Sequence, residues 1–142
     1  MIEEYYNVRR WYMGEELKTF RQRAGVPQNQ LVDEISKLLR DLAPEEADGL
    51  EKIGVLQDLE KFVVVDNPAS LLNRYEKIEG RKPKNRKRHL SLLWGLHRLG
   101  GVESVEEANT FLQLAESSSL TPEELIVNFG EGESIQIAPT RR

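Results

Sequence analysis

The chain has 142 residues, of which 39% are hydrophobic and 31% are charged, and this suits one soluble, helix-rich domain with a single core. It contains no cysteine, which excludes disulfides and thiolate metal sites and fits a cytoplasmic protein. No apolar run reaches the length of about 18 residues that a membrane span needs, and the start MIEEYYNVRR lacks the basic leader and apolar core of a signal peptide.

The charge is distributed unevenly along the chain. The formal net charge is −4, which by itself argues against a nucleic-acid partner. Between Arg74 and Arg98, however, nine basic residues face only two acidic ones. A chain with this asymmetry can direct one basic face at phosphate while the rest stays solvated. The alternative is that the run RKPKNRKRH is a solvated loop and helix start without a partner.

Residues 14–42 have the pattern of two short helices joined by a tight corner. Apolar residues recur at helical spacing until Gly25, where a left-handed conformation ends a helix at low cost. A Val-Pro pair forms the corner, and a second helix opens at Gln28. The residues expected on the inner faces of these helices are Leu17, Phe20, Ala24, Leu31, Ile35, Leu38 and Leu39. Two helices with such a corner are the first half of a helix-turn-helix.

Residues 67–83, NPASLLNRYEKIEGRKP, would supply the third helix of this motif and its basic exit. At helical spacing, Leu72 and Tyr75 would face the core. The polar side chains that would face outward are those of Ser70, Asn73 and Arg74. In a helix-turn-helix, the helix in this place is the recognition helix.

These residues resemble the Cro/repressor-type (XRE-like) helix-turn-helix family. The resemblance is carried by Leu17, Arg21, Ala24, Gly25, Val26, Gln28 and Leu31, then by LNRYE at 72–76 and by Gly80-Arg81-Lys82-Pro83. Residues 89–125 are similar to the helical segment that follows this domain in some bacterial regulators. The chain departs from the family's pattern in three places. Pro27 replaces the usual Ser or Thr cap, about two dozen residues separate helices two and three, and two extra residues precede the exit glycine.

The resemblance implies a sequence-specific DNA-binding protein, a transcriptional regulator whose partner is double-stranded DNA. The helix from about Pro68 would enter the major groove, with Ser70, Asn73 and Arg74 near base edges or phosphates. Gln28 would meet a phosphate at the start of helix two. The residues that would clamp the DNA backbone are Arg81, Lys82, Lys84, Arg86, Lys87 and Arg88. Many regulators of this type act as homodimers, although no heptad or other dimer seam is visible in the sequence.

Residues 43–66 form an insert between helices two and three. A proline and carboxylates at its start predict an amphipathic helix, which Gly49 and Gly54 weaken. The run Phe62–Val65, rich in β-branched residues, predicts a short strand or a buried extended stretch, and as a strand it would pair with residues 134–137 in a two-stranded ribbon. We expect the insert to be separable from the fold, because the entropy of loop closure depends only weakly on loop length.

The insert also supports a second hypothesis, in which the chain is a helical adaptor that binds a protein partner through residues 43–66. The insert holds seven acidic residues against two lysines, so it would repel DNA unless it folds away from the duplex. The apolar run at 62–65 and the lack of hydrogen-bonding side chains at Pro68, Ala69 and Leu71 also favour an adaptor. Binding to random-sequence DNA at low salt discriminates between the two hypotheses.

The remaining residues predict three more helices and a loose tail. A helix over Lys84–Leu99 would end at the Gly100-Gly101 pair. Two capping boxes, Ser104 with Glu107 and Thr121 with Glu124, would open two further helices. The whole chain is therefore expected to be one all-α domain, a helix-turn-helix-containing bundle with C-terminal helices to residue 129 and a tail over 130–142. The residues expected to share its core are Leu17, Phe20, Leu31, Ile35, Leu72, Tyr75, Leu93, Trp94, Phe111 and Leu112.

No catalytic chemistry is predicted. His89 and His97 are the two histidines of the chain, and leucines flank them in a predicted helix, so we interpret both as structural or surface residues. Adjacent acidic pairs fall mostly in first helical turns, where the helix dipole explains them. No phosphate-binding loop, dinucleotide fingerprint or nucleophile elbow is present. We therefore expect a protein that is not an enzyme and that binds neither a metal nor a cofactor.

Overall fold

A computed structural model describes residues 14–64, 86–115 and 117–130 of the chain. Within these ranges the chain forms seven helices and no strand, which confirms the predicted all-α class. The helices are α1 over residues 14–24, α2 Gln28–Arg40, α3 Pro44–Lys52, α4 Val55–Phe62, α5 Arg86–Arg98, α6 Val105–Leu114 and α7 Pro122–Phe129. None of these helices combines the length and apolar composition that a membrane crossing needs.

Helix α5 lies at the centre of the fold. All eight residues from His89 to Leu96 are buried, and a helix that is covered on every side has to be an interior element. It packs most extensively against α4 and also contacts α7. Helix α2 crosses it so closely at Gly95 that an added Cβ would stand 2.7 Å from Cδ1 of Ile35. The buried ring of His89 meets the ring of Phe111 in α6 edge-on, with 6.0 Å between the ring centroids.

The corner between α1 and α2 forms as predicted. Gly25 has a φ of 71°, a left-handed conformation that glycine adopts without a Cβ penalty. The next residue, Val26, is buried, and its carbonyl oxygen accepts a hydrogen bond of 3.1 Å from Nη1 of Arg21. The corner is therefore fixed by backbone conformation, burial and a side-chain bond together.

The insert is part of the core, so the prediction that it is separable from the fold is wrong. It forms two helices, because Gly54 adopts a left-handed conformation, with a φ of 76°, that separates α4 from α3. Four of its side chains lie in the same hydrophobic cluster as those of α1, α2, α5 and α6, and they are Leu50, Val55, Leu59 and Phe62. Each fully buried side chain of this kind contributes roughly 1.5–3 kcal/mol through the hydrophobic effect. A flexible loop cannot replace that contribution.

The predicted strand at 62–65 is also wrong over its described part. Phe62 is the last residue of α4, and residues 63 and 64 form a turn. The buried ring of Phe62 completes the apolar stripe of α4 with Val55 and Leu59 at helical spacing, and this packing overrides the local β propensity. Val65 and the proposed partner strand at 134–137 lie outside the described residues.

The predicted core is confirmed at the positions that the structure describes. Eight of the ten expected residues belong to one buried cluster, namely Leu17, Phe20, Leu31, Ile35, Leu93, Trp94, Phe111 and Leu112. The other two, Leu72 and Tyr75, lie outside the described ranges. Of the two predicted capping boxes, one is half formed, because the Glu107 carboxylate accepts from the amide of Glu103 and not from that of Ser104, and the other is complete. The Ser104 hydroxyl accepts from the Glu107 amide at 3.2 Å, and Thr121 and Glu124 form a complete capping box.

Candidate nucleic-acid interface

Four of the ten residues predicted to contact DNA lie in the described ranges, and they are Gln28, Arg86, Lys87 and Arg88. The other six, Ser70, Asn73, Arg74, Arg81, Lys82 and Lys84, lie outside them. Gln28 opens α2, whereas the three basic residues occupy the first turn of α5. The four described residues therefore fall at the starts of two helices.

The start of α2 lacks the acidic residues that begin α3, α6 and α7, as does the start of α5. Its N-cap residue, Pro27, makes no side-chain capping bond, and its first turn holds no acidic residue. In contrast, α3, α6 and α7 each carry two glutamates in the first turn. The amide end of a helix bears a partial positive charge, and in α2 no carboxylate of its own first turn offsets that charge. An anion near Gln28 would therefore be favoured.

Arg86 binds α7 and the loop that precedes it. Its Nη2 donates to Oε1 of Glu124 at 2.5 Å, and its Nε donates to Oε2 of the same carboxylate at 3.3 Å. Its Nη1 donates to the Ser117 hydroxyl and to the Ser118 carbonyl, both at 2.6 Å. A further bond of 3.1 Å reaches the Ser119 carbonyl. Arg86 thus joins the start of α5 to α7 and to the loop before α7.

Glu124 is the carboxylate that receives Arg86, and it also completes the capping box of α7. Burial alone would raise the pKa of Glu124, but the hydrogen bonds from Arg86 and Thr121 outweigh burial and lower that pKa below its ordinary value. Glu124 is therefore a fixed negative charge at neutral pH. Because Glu124 both binds Arg86 and caps α7, it links the start of α7 to the start of α5.

Arg88 makes a second internal ion pair. Its Nε donates to Oδ2 of Asp58 at 2.8 Å, and its Nη2 donates to Oδ1 at 3.3 Å. The Ser91 hydroxyl donates to the same Oδ2 at 2.8 Å, and the guanidinium carbon lies 4.9 Å from the centre of the Phe62 ring. Asp58 is only 7% exposed, so this pair is shielded from solvent.

The ion pairs of Arg86 and Arg88 change the interpretation of the basic run RKPKNRKRH. Lys87 is exposed, and its side chain crosses Gly54, where an added Cβ would stand 2.8 Å from Cε of Lys87. Arg86 and Arg88 hold carboxylates of the fold, so each would have to leave its internal partner to contact a phosphate. We therefore assign these two arginines a structural role, and the predicted clamp is left with Lys87 and the residues before α5.

Sequence reasoning missed Asp58 and Glu124 as the partners of these arginines. The two carboxylates lie 30 and 38 residues from Arg88 and Arg86 along the chain, too far for any local pattern to connect them. One signal was available for Asp58, because it follows Val55 by three residues and precedes Phe62 by four. That spacing places a carboxylate on an apolar stripe, which indicates a buried and paired charge.

The described part of the chain is acidic, with eleven basic residues against sixteen acidic ones. Five basic residues of the predicted interface region fall instead between 65 and 85, and they are Arg74, Lys77, Arg81, Lys82 and Lys84. Most of the predicted phosphate contacts therefore lie outside the described ranges.

A cleft of about 700 Å³ lies between the start of α3, the end of α5 and α7. Glu46 and Arg98, which both line it, form an ion pair. Ile126 also lines it and is 40% exposed, which is unusual among the large apolar side chains of the described residues. None of the residues that line the cleft belongs to α2, and one wall of it comes from the insert.

The two histidines serve the fold. His89 is buried against Phe111, and Nδ1 of His97 lies 2.9 Å from the Val102 carbonyl oxygen. The ring of His97 also packs on Phe129, with 4.4 Å between the centroids. Within residues 14–64, 86–115 and 117–130, no group of three or more metal-binding side chains is close enough to hold an ion.

Comparison of the chain with models of known protein families, with curated proteins and with solved structures found no match. The resemblance to the Cro/repressor-type helix-turn-helix family therefore rests on the quoted residues alone.

Proposed function

We propose that the protein binds double-stranded DNA as a transcriptional regulator, through the start of α2 and the segment at 65–85. The observation that carries this proposal is the α1–corner–α2 unit. Its left-handed Gly25 and buried Val26 fix α2 so that a helix start without its own carboxylates faces outward beside Gln28. A phosphate there would receive the partial positive charge of the helix end.

The other contacts of this proposal come from side chains in the 65–85 segment. Ser70, Asn73 and Arg74 would approach base edges, and Arg81, Lys82 and Lys84 would bind backbone phosphates together with Lys87. Arg86 and Arg88 have no such role, because their guanidinium groups bind Glu124 and Asp58. A regulator of this kind carries out no catalytic step, and it acts in the compartment that holds the genome.

A fluorescence-polarisation titration with random-sequence DNA at two salt concentrations tests this function. We expect binding at low salt that weakens steeply as salt rises, because phosphate contacts release counterions. The Lys82→Gln/Lys84→Gln variant should bind more weakly. The matched control, Lys37→Gln/Lys52→Gln, removes the same charge from α2 and α3 and should bind as the wild type does. An absence of binding at low salt would overturn the proposal.

A second function, that of an adaptor for a protein partner, is favoured by the cleft between α3, α5 and α7. A partner would enter the cleft of about 700 Å³ and contact Ile126, which is 40% exposed and lines it. A photo-cross-linking residue at position 126 tests it in cells. If the chain fails to bind DNA and position 126 cross-links one protein that an equivalent residue at exposed Gln113 does not, the adaptor is the better assignment.

A further inference from the structure

The cleft between α3, α5 and α7 combines an apolar lining with a small number of polar side chains. The apolar lining comes from the start of α3 and from α7, and it consists of Ala43, Ile126, Val127 and Phe129. The polar side chains are those of Glu45, Glu46, His97, Arg98 and Asn128. The cleft volume of about 700 Å³ falls within the range of roughly 300–1,000 Å³ that small-molecule sites occupy. Which ligand such a site accepts depends on which of its polar groups are already bonded within the fold.

The cationic side of the cleft is already occupied by partners within the fold. Arg98 forms an ion pair with Glu46, and its guanidinium carbon lies 5.7 Å from the centre of the Trp94 ring. Nδ1 of His97 lies 2.9 Å from the Val102 carbonyl oxygen. An anionic ligand would therefore have to displace the Glu46 carboxylate from Arg98, so the cleft is not arranged to receive an anion.

The acceptors of the cleft are in the opposite situation. The exposed Glu45 carboxylate forms no ion pair or hydrogen bond among the described residues. Asn128 is 2% exposed, and its Nδ2 donates to the Glu124 carbonyl oxygen at 2.7 Å, which fixes the orientation of the amide because only its nitrogen can donate. Its Oδ1 is thereby a buried acceptor to which no described residue donates. The polar groups of the cleft that lack a partner within the described ranges are thus acceptors, and one of them is charged.

We propose that the cleft binds a small organic amine, an ammonium group on an apolar chain of several carbons. The ammonium group pairs with the Glu45 carboxylate, and the apolar chain packs on Ile126, which is 40% exposed. An ammonium group only donates hydrogen bonds, so it suits a lining whose unmatched groups are acceptors. The excess of sixteen acidic over eleven basic residues in the described ranges also favours a cation at long range.

This binding site is separate from the DNA-binding function proposed above. None of the residues that line the cleft is among those assigned to DNA. Binding of an amine can therefore be tested whether or not the chain binds DNA, and failure of either proposal leaves the other standing.

A titration of the full chain with n-hexylammonium, n-hexanol and hexanoate tests the charge of the ligand. These three probes share one apolar chain and differ in their end group, and at about pH 7 the amine is protonated. Nuclear magnetic resonance shifts of the backbone amides at 126–130 report binding in the cleft. We expect hexylammonium to bind about threefold more tightly than hexanol, the size of an exposed ion pair, and hexanoate to bind most weakly. Equal binding of the three probes, or shifts confined to amides away from the cleft, would overturn the proposal.

Glu45→Gln tests which carboxylate receives the ammonium group. It removes a charge at an exposed position, and we expect it to reduce hexylammonium affinity about threefold while hexanol affinity stays unchanged. Glu51→Gln is the matched control, because Glu51 is an exposed residue of the same helix and does not line the cleft. It should bind hexylammonium as the wild type does. If both variants lose the same affinity, the effect is one of overall charge and the assignment to Glu45 is overturned.

A series of chain lengths tests the apolar contact with Ile126. From methylammonium through butylammonium to hexylammonium, the affinity should rise by up to about fourfold for each methylene group that the cleft buries. In Ile126→Ala this gain should shrink, whereas methylammonium should bind as it does to the wild type. An affinity that does not rise with chain length, or that rises equally in Ile126→Ala, would overturn the assignment of the apolar contact.

The same ammonium chain also occurs in the lysine side chains of other proteins, so a final comparison separates the two sources. N-acetyl-lysine methylamide carries the chain of butylammonium on a peptide backbone. We expect it to bind no more tightly than butylammonium, because the cleft contacts the chain and the ammonium group alone. Binding about tenfold tighter, a difference too large for these shared groups, would overturn the small amine in favour of a lysine of a protein partner, as the adaptor function requires.

Discussion

The backbone of Gly101 lies directly against the carbonyl group of Phe20, so that a Cβ at residue 101 would stand 2.1 Å from the Phe20 oxygen and 2.9 Å from its carbon. This contact brings α1 onto the end of α5. Because the obstacle is backbone, no side-chain rotation can relieve it. We expect Gly101→Ala to lower the free energy of unfolding by about 3 kcal/mol, measured by urea denaturation with the slope unchanged.

Gly100→Ala is the control for this first prediction. Gly100 has a φ of 90°, and nothing lies within 4 Å of an added Cβ, so alanine there meets only the left-handed strain of roughly 1–2 kcal/mol. If Gly101→Ala lowers the free energy of unfolding by no more than Gly100→Ala does, the Phe20 carbonyl group does not lie as close to Gly101 as described.

The second prediction concerns the insert. Leu59 of α4 is fully buried in the common core, so Leu59→Ala should lower the free energy of unfolding by about 2–5 kcal/mol. Gln57→Ala, at an exposed position of the same helix, should change it by less than about 0.5 kcal/mol. Replacing residues 44–64 with a Gly/Ser loop should leave an unfolded chain by circular dichroism. A stable helical product would show that α3 and α4 are an appendage after all.

The third prediction is a dependence of stability on pH. Because the folded-state pKa of Glu124 lies below its ordinary value of 4.5, the ionised carboxylate stabilises the fold above that pH. The stabilisation is lost as the pH falls through the folded-state pKa. Glu124→Gln keeps a side chain that can cap α7 but removes the charge that Arg86 binds. It should be less stable than the wild type by about 1–2 kcal/mol at pH 7, and the difference should shrink below pH 4.5.

Glu123→Gln provides the comparison for Glu124→Gln, since Glu123 is an exposed residue in the same first turn of α7. Thermal unfolding of the three proteins between about pH 3 and pH 7 measures both effects. If the difference in stability between the wild type and Glu124→Gln stays constant over this range, the charge of Glu124 is not what stabilises the fold.

The fourth prediction separates phosphate contacts from base contacts. Lys84→Gln/Lys87→Gln should weaken binding to all DNA sequences alike and reduce the salt dependence by about 1.8 in log K per log salt, since each phosphate that is no longer neutralised accounts for about 0.9. Arg74→Ala should cost about 1–3 kcal/mol on a preferred site selected from a random library. If Arg74→Ala weakens random and preferred DNA equally, the helix expected at 68–76 does not read bases.

The elements that the sequence predicts correctly are those set by short-range chemistry. The left-handed Gly25, the caps at Ser104 and Thr121 and the helical spacing of Leu31 and Ile35 each depend on residues a few positions apart. All of them form as predicted. Eight residues of the core could therefore be named from periodicity alone, whereas the four that the insert contributes are not among them.

Local sequence patterns are least informative where a distant partner decides the contacts of a residue. Arg86 and Arg88 have the local pattern of a solvated basic run, and only Glu124 and Asp58, far away in the chain, turn them inward. Phe62 belongs to a β-branched run, but burial against α5 makes it the end of a helix. The insert has no counterpart in the family pattern, so the sequence alone suggests an appendage. Its helices nevertheless pack against α5, and local spacing in the sequence does not predict that contact.

The enclosed position of α5 has a consequence for how the protein is made. Residues 14–64 emerge from the ribosome before the helix that they surround, so their apolar side chains have no interior to enter until residue 98 has been synthesised. The amino-terminal half therefore cannot fold as a unit of its own, and its exposed leucines and Phe62 would attract chaperones in that interval. A fragment that stops at residue 85 should be unfolded, although it contains the entire helix-turn-helix pattern.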